Sequence, residues 1–242
     1  MASSPLATPR RCGLVLLLAL LCLLPRVKAQ DVTVDTITLT VGARVGVGIS
    51  RITFQPFQPR YPGLKAEGGV VFGVSAERYF GMQVELDFAR TAFETVEAHQ
   101  RKIGQKEWIG ERLKVENLWL QLPILAEGHY RYKRLLMRLQ VGGFLDYLLI
   151  ERAGIGGAME RMDLKSWAYN RLGVGVCGGG GLGIATSFGN FHLDYRFNYR
   201  LTNLYDRERI PGANEPRSNP RDHGLSITYT YTFTKIQEKI AP

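Results

Sequence analysis

The stretch Gly173–Gly183, GVGVCGGGGLG, holds a literal G-x-G-x-x-G at Gly173, Gly175 and Gly178. That spacing can lay backbone N–H groups against a pyrophosphate, provided a strand precedes it and a helix opens at its third glycine. The second condition fails here. Gly179, Gly180 and Gly181 follow, and each glycine in a helix costs roughly 1 kcal/mol relative to alanine. The next segment, FHLDYRFNYRL, alternates as a strand. Asp194 lies near the offset of a ribose-binding acid, but it falls on the polar face of that strand. No nucleotide or other cofactor is expected.

The other reactive side chains give no diagnostic spacing. The histidines are His99, His129, His192 and His223. His99 and His223 lie in segments that also hold Asp206, Asp222 and Ser218, residue types suited to hydrolysis, yet hydrolysis needs a geometry that spacing alone does not supply. No paired His or Cys spacing suits a metal ion. The expectation is a non-enzyme, with no catalytic, cofactor or metal residues.

What remains is ionic chemistry at period two. Arg44, Glu77, Glu85, Asp87, Arg138, Gln140, Asp146, His192, Asp194, Arg196, Asn198 and Arg200 share faces of segments whose opposite faces are apolar. From Ile37 to Ser50 the alternation is unbroken: Ile37, Leu39, Val41, Ala43, Val45, Val47 and Ile49 are apolar, and the residues between them are small or polar. Side chains of a strand alternate faces, so such a segment is a strand with one apolar and one polar face. The pattern predicts eight strands, at about 37–50, 69–78, 82–90, 114–126, 134–149, 169–184, 190–202 and 224–233. The glycine stretch becomes the sixth. Its inner glycines leave room for Arg and His side chains of strand seven and permit the bend of a small barrel. Pro123 removes a ladder donor, so a strand end or bulge is expected there.

The N-terminus reads differently. Arg10 and Arg11 precede the apolar run Gly13–Leu24, Pro25 breaks it, and Val27-Lys28-Ala29 offers small residues for cleavage. That is the pattern of a secretory signal peptide over residues 1–29, leaving residues 30–242 as the mature domain. The apolar run is shorter than the roughly 20 residues a spanning helix needs. Cys12 and Cys22 leave with the signal, so the mature chain keeps Cys177 alone and has no internal disulfide. The formal charge of +9 falls to about +5 on cleavage, and what remains is scattered in both signs, which argues against nucleic acid as a partner.

The connections alternate long and short. Long ones fall at 51–67, 91–113, 151–167 and 203–223; short ones fall at 79–81, 127–133 and 185–190. This is the sidedness of an all-β, eight-stranded antiparallel up-and-down transmembrane β-barrel, with turns facing the periplasm and long loops facing outward. Aromatic side chains near strand ends, Tyr147, Trp167, Tyr169, Tyr199, Tyr229, Tyr231 and Phe233, suit interfacial girdles. Leu225–Phe233, with Tyr229, Tyr231 and Phe233, reads as the aromatic closing strand recognised during barrel assembly. Period two alone leaves a soluble lipocalin-like carrier open, because a lipocalin is also an exported eight-stranded barrel, with its apolar face turned inward.

The pieces GGVVFGVSAERYFG, LWLQLPILAEGHYRYKRLLMRLQVGGFLDYLL, FHLDYRFNYRLTNLY and HGLSITYTYTF together resemble the PorT-like outer-membrane β-barrel family. The resemblance covers nearly the whole mature chain and lies in pattern and order. It implies an eight-stranded barrel in the outer membrane of a Gram-negative cell. One family member is linked to protein secretion, and no residue here carries that role across. A tail, Thr234–Pro242, follows Phe233.

An eight-stranded barrel has an interior just wide enough for side chains to fill. The expected site is therefore a structural polar network in the lumen, made by Arg44, Glu77, Glu85, Asp87, Arg138, Asp146, His192, Asp194, Arg196 and Arg200. The long loops are the place for binding; the last carries Arg207, Arg209, Arg217 and Arg221 among Asp206, Glu208, Glu215 and Asp222. Expected partners are outer-membrane lipid including lipopolysaccharide, the barrel assembly machinery, and other envelope proteins such as a secretion complex. The expected function is structural or binding; a rim-sited lipid-modifying enzyme or protease is the alternative beside the lipocalin-like carrier.

Overall fold

A strand with one apolar and one ionic face is stable only if each face meets a matching medium, and the chain meets that demand by closing its strands on themselves. In the computed structural model the described residues are 37–55, 60–75, 79–96, 101–103, 106–108, 112–155, 158–162, 170–204 and 217–236. They form β1 (Ile37–Gln55), β2 (Arg60–Ser75), β3 (Phe80–Val96), β4 (Arg101–Ile103), β5 (Lys106–Trp108), β6 (Arg112–Tyr132), β7 (Leu135–Ile155), β8 (Ala158–Arg161), β9 (Leu172–Thr186), β10 (Gly189–Arg200) and β11 (Arg217–Ile236). The signal segment 1–29, Glu77, His99, Trp167, Tyr169, Arg207 and Arg209 lie outside the described residues.

The strand order is β6-β3-β2-β1-β11-β10-β9-β7, and β7 pairs back onto β6. Every pairing is antiparallel. The result is a closed eight-stranded up-and-down barrel, in which β1 and β11 form the closing seam from Ile37↔Ile236 to Gln55↔Arg217. The short β8 extends β7 at one end, and β4 and β5 pair as a separate hairpin.

The barrel turns its apolar face outward. Val45, Val47 and Leu139 are 64%, 68% and 70% exposed, whereas inward Glu85 is fully buried. Exposed apolar side chains recur around the wall: Phe72, Phe88, Ile124, Val176, Leu193 and Ile227. A continuous apolar band of this extent belongs against lipid. The lipocalin-like reading required the opposite sidedness and is corrected here.

Three tight connections close one end. The β6–β7 turn is the two residues Lys133 and Arg134, with Lys133 at φ 54°. The β9–β10 turn is Ser187 and Phe188, and Gly189 follows at φ 147°, where a side chain would be strained and would run into the Tyr229 ring. β2 and β3 meet through Ser75↔Gly81.

At the other end the strands outrun the sequence-based boundaries. Segments expected to be loops belong largely to strands: β1 runs to Gln55, β2 starts at Arg60, β7 runs to Ile155 and β11 starts at Arg217. Toward this end the contrast inverts: Ile52, Phe93, Val115 and Ala153 are buried inside the barrel while Arg51, Arg90, Lys114 and Arg152 are exposed outside it, so the apolar face no longer continues the lipid-facing series although the backbone ladder does. The link expected at 127–133 is mostly strand as well, because β6 continues to Tyr132. Pro123 is not a strand end. It sits inside β6 opposite Phe144 of β7, while the ladder to β3 skips from Val84↔Ile124 to Asp87↔Gln121 with no change of register. The missing donor is absorbed as a local gap in one ladder. The closing strand does not end at Phe233: the β1–β11 register shifts there, with Leu39 opposite Thr234 and Thr40 opposite Thr232, and β11 continues to Ile236.

Candidate functional site

Period two delivers one side chain in two from each wall strand to the lumen, so the interior is set by eight short polar sequences facing one another. At mid-height side chains of six strands meet. Arg44 of β1 donates to Glu85 at 2.6 Å and to Asp87 at 3.0 Å, both on β3, and to Glu67 of β2 at 2.5 Å. It also reaches Ser226 Oγ of β11 at 3.2 Å. Arg196 of β10 grips both oxygens of Glu85, the Nη2–Oε1 bond being 2.8 Å, and donates to Gln140 of β7 at 2.9 Å. Gln83 donates to Glu85 at 2.5 Å. Glu85 thus ties two guanidinium groups across the barrel, the arrangement a buried charge needs to offset its lost hydration.

Below this layer, toward the tight turns, Arg138 of β7 holds Asp194 of β10 through both carboxylate oxygens, with Nε–Oδ1 at 2.7 Å. Thr228 of β11 donates to the same carboxylate at 2.8 Å. Glu127 lies 3.6 Å from Arg138 and accepts from Gln140 at 2.8 Å. His192 is buried beside this pair, and its Nδ1 has no hydrogen-bond partner.

Above the mid layer, toward the long connections, Lys65 of β2 pairs with Glu67 at 2.7 Å and with Asp222 of β11 at 3.4 Å. Arg200 lies 3.5 Å from Asp146, donates to the Asn170 carbonyl at 2.7 Å, and stacks over the Trp119 ring at 4.9 Å. A cavity of about 20 Å³ remains here, lined by Ser50, Thr91, Asn117, Trp119, Asp146 and Asp222 among others. That is room for about one water molecule.

Of the expected network, Arg44, Glu85, Asp87, Arg138, Asp146, His192, Asp194, Arg196 and Arg200 all face the lumen and are buried. Glu77 lies outside the described residues. Sequence reasoning missed Lys65, Glu67, Glu151 and Asp222, which are buried inside the barrel too. All four fall in stretches read as loop. The parity of β2 had pointed to Lys65 and Glu67: they continue the inward series of Gly69, Val71 and Gly73.

The glycine stretch lies in β9, well inside the wall. The space left by its inner glycines is filled from both neighbouring strands. A Cβ at Gly173 would meet Arg200 and Asp146, one at Gly181 would meet Asp194, and one at Gly183 would meet His192. At Gly175 the occupant is the Phe144 ring of β7 together with the Tyr199 carbonyl. Of the inner glycines Gly173, Gly175, Gly179 and Gly181, the expected arginine of strand seven lies against Gly173; Gly181 meets Asp194, Gly179 meets the Tyr195 carbonyl and Gly175 meets Phe144 instead, while His192 lies against Gly183.

The hydrolytic alternative finds no geometry among the described residues. His223 lies in β11, exposed on the outer surface, where its Nδ1 meets Tyr195 Oη at 2.6 Å. Asp222, its sequence neighbour, is buried on the opposite face with Lys65. His129 lies 3.7 Å from Glu127 at the tight-turn end. Among the described residues no group of three His, Cys, Asp or Glu side chains could hold a metal ion. Of the expected assembly strand, Tyr231 is exposed and Tyr229 half-buried, the latter donating to the Phe188 carbonyl at 2.6 Å.

A closed barrel with lipid-facing apolar side chains and an ion-paired interior is an integral membrane β-barrel. The model of the outer membrane protein beta-barrel domain matches residues 28–206, and the chain belongs to that family. Among solved structures the chain is similar to the outer membrane protein OprG of Pseudomonas aeruginosa, with a TM-score of 0.44, 9% identity, and coverage of 82% of this chain and 97% of that one. It is similar to Neisserial surface protein A, with a TM-score of 0.41, 10% identity, and coverage of 79% and 96%. It is also similar to Ail, the attachment invasion locus protein of Yersinia pestis, with a TM-score of 0.36, 12% identity, and coverage of 81% and 99%. No curated protein matches the sequence.

Proposed function

We propose that the chain is a non-enzymatic outer-membrane barrel of a Gram-negative envelope, exported by cleavage after Ala29, whose role is structural or binding. The supporting observation is the mid-height layer in which Glu85 joins Arg44 to Arg196 across the lumen. A lumen bridged in this way is a filled core, so solute passage is not its task. Binding then falls to the strand extensions and connections at the long-loop end. The partners of this reading are outer-membrane lipid including lipopolysaccharide, the barrel assembly machinery, and other envelope proteins. Membership of a secretion or envelope complex is its finer form, suggested by the PorT-like resemblance. The test is conductance across a planar bilayer. Purified chain should give no steady current, and regular step openings would overturn the filled lumen.

A further inference from the structure

The outer surface of the closing seam carries an anomaly. Arg51 of β1 stands directly opposite Arg221 of β11, and both are exposed. Like charges placed opposite each other on one face of an antiparallel pair repel. Neither residue has an ion pair to a described residue. Arg221's other cross-strand neighbour is Tyr199, and the β1–β2 ladder ends one step short of Arg51, at Ser50↔Gly63. Asp222, next in sequence to Arg221, is turned into the lumen against Lys65. The contrast lies at the β3–β6 pair, where Arg90 and Lys114 are both ion-paired with Glu116, the latter at 2.9 Å.

The position of the pair names a ligand chemistry. Arg51 follows Val45, Val47 and Ile49 along the outward face, so it stands immediately beyond the apolar band, at the long-loop end. The row below it holds Ile49 opposite His223, with the His223 ring fixed by Tyr195 and packed on Phe197 at 4.9 Å. An anion seated between the two guanidinium groups would turn their repulsion into attraction, and Arg recognises phosphate with paired donors. A free anion gains nothing from the band beneath. A phosphorylated lipid gains both, since its acyl chains lie along Ile49, Leu225 and Ile227 while its phosphate reaches the arginines. We propose that Arg51 and Arg221 form a site for the phosphate of an outer-leaflet glycolipid of the lipid A type. The site deepens the lipid-partner reading above and depends on the outer-membrane setting, but it is independent of whether the lumen is closed. The two tests can therefore fail separately.

Native mass spectrometry of the full mature chain in micelles, titrated with phosphorylated lipid A, dephosphorylated lipid A or inorganic phosphate, tests this. A basic side chain at an anionic lipid surface contributes enough for roughly a 5-fold change in affinity. Arg51→Gln and Arg221→Gln should each lose about that factor, and the double variant roughly 20- to 30-fold, for phosphorylated lipid A. Dephosphorylated lipid A should bind the native chain with the same deficit. Arg51→Lys/Arg221→Lys should keep most of the binding, and unchanged heat-modifiable gel migration shows that each variant is folded. The proposal is overturned if the double Gln variant binds phosphorylated lipid A within 2-fold of the native chain. It is equally overturned if removing the phosphate makes no difference, or if inorganic phosphate competes as strongly as the lipid.

Discussion

Glu85→Gln isolates the energetic role of the lumen network. The substitution keeps the size of the side chain and removes one negative charge at the centre of the barrel. In the native protein four donor atoms converge on Glu85: Arg44 Nη1, Arg196 Nη1 and Nη2, and Gln83 Nε2. After the change Arg44 still has Glu67 at 2.5 Å and Asp87 at 3.0 Å. Arg196 is left with its hydrogen bond to the neutral Gln140 at 2.9 Å, in a site where it is only 5% exposed. Leaving one member of a buried ion pair uncompensated costs about 3–5 kcal/mol, a factor of roughly 10² to 10⁴ in the folded-to-unfolded ratio. Taking both charges away in Glu85→Gln/Arg196→Gln should bring the loss back to under about 2 kcal/mol, because the second change removes the stranded cation. The assay is urea unfolding of the barrel in vesicles, read by tryptophan fluorescence, to which Trp119, buried in the lumen wall, contributes. A loss below about 1 kcal/mol for Glu85→Gln, or a double variant as unstable as the single one, would refute the claim that the lumen is held by paired charge.

Two further outcomes are expected. Val45→Arg, at a position 64% exposed on the outward face, should cost about 2–4 kcal/mol in a bilayer, the penalty for a cation at depth on the lipid face; a near-neutral effect in vesicle unfolding would mean that this face does not meet lipid. Gly175→Leu should reduce the yield of heat-modifiable barrel, because its side chain must occupy the space of the Phe144 ring and the Tyr199 carbonyl, and the native chain should show no dinucleotide binding by fluorescence titration. Normal assembly of Gly175→Leu, or measurable dinucleotide affinity, would contradict the packing account of the glycine stretch.

The wall of this barrel was legible in its sequence wherever the two faces meet different media. β1 as far as Ser50, β3 as far as Phe88, and β10 alternate without interruption because one side meets lipid and the other meets fixed charges, and composition records that difference residue by residue. Beyond the lipid the pattern inverts, with Ile52, Phe93 and Val115 buried inside, and the record becomes hard to follow. RYPGLKAE opens β2 and reads as a loop, yet Lys65 and Glu67 are buried in it. Period two alone did not say which face lay inside, since a lipocalin and a membrane barrel share it; the alternation of long and short connections and the aromatics near strand ends pointed to the polar face. The structure adds the pairing of those charges, which no spacing in the sequence specified.

The glycine stretch shows how a motif can be right in letters and wrong in meaning. Gly173, Gly175, Gly179 and Gly181 share the inner face of β9, beside β10, whose inward side chains include His192, Asp194, Arg196 and Arg200. Glycine there is a record of its neighbours' size. Arg200 with Asp146, the Phe144 ring, and Asp194 occupy the space that side chains at Gly173, Gly175 and Gly181 would take. Two of those occupants belong to the ion-paired network and the third to its apolar support, so these glycines are as much a part of the lumen as the arginines are. The same geometry removes the nucleotide reading, since a loop that cradles phosphate must leave its N–H groups free, and those of β9 are committed to ladders on both sides, with β7 and with β10. Outside the wall, by contrast, Arg51 and Arg221 face each other with no described acid between them, and their guanidinium groups are free to receive an anion.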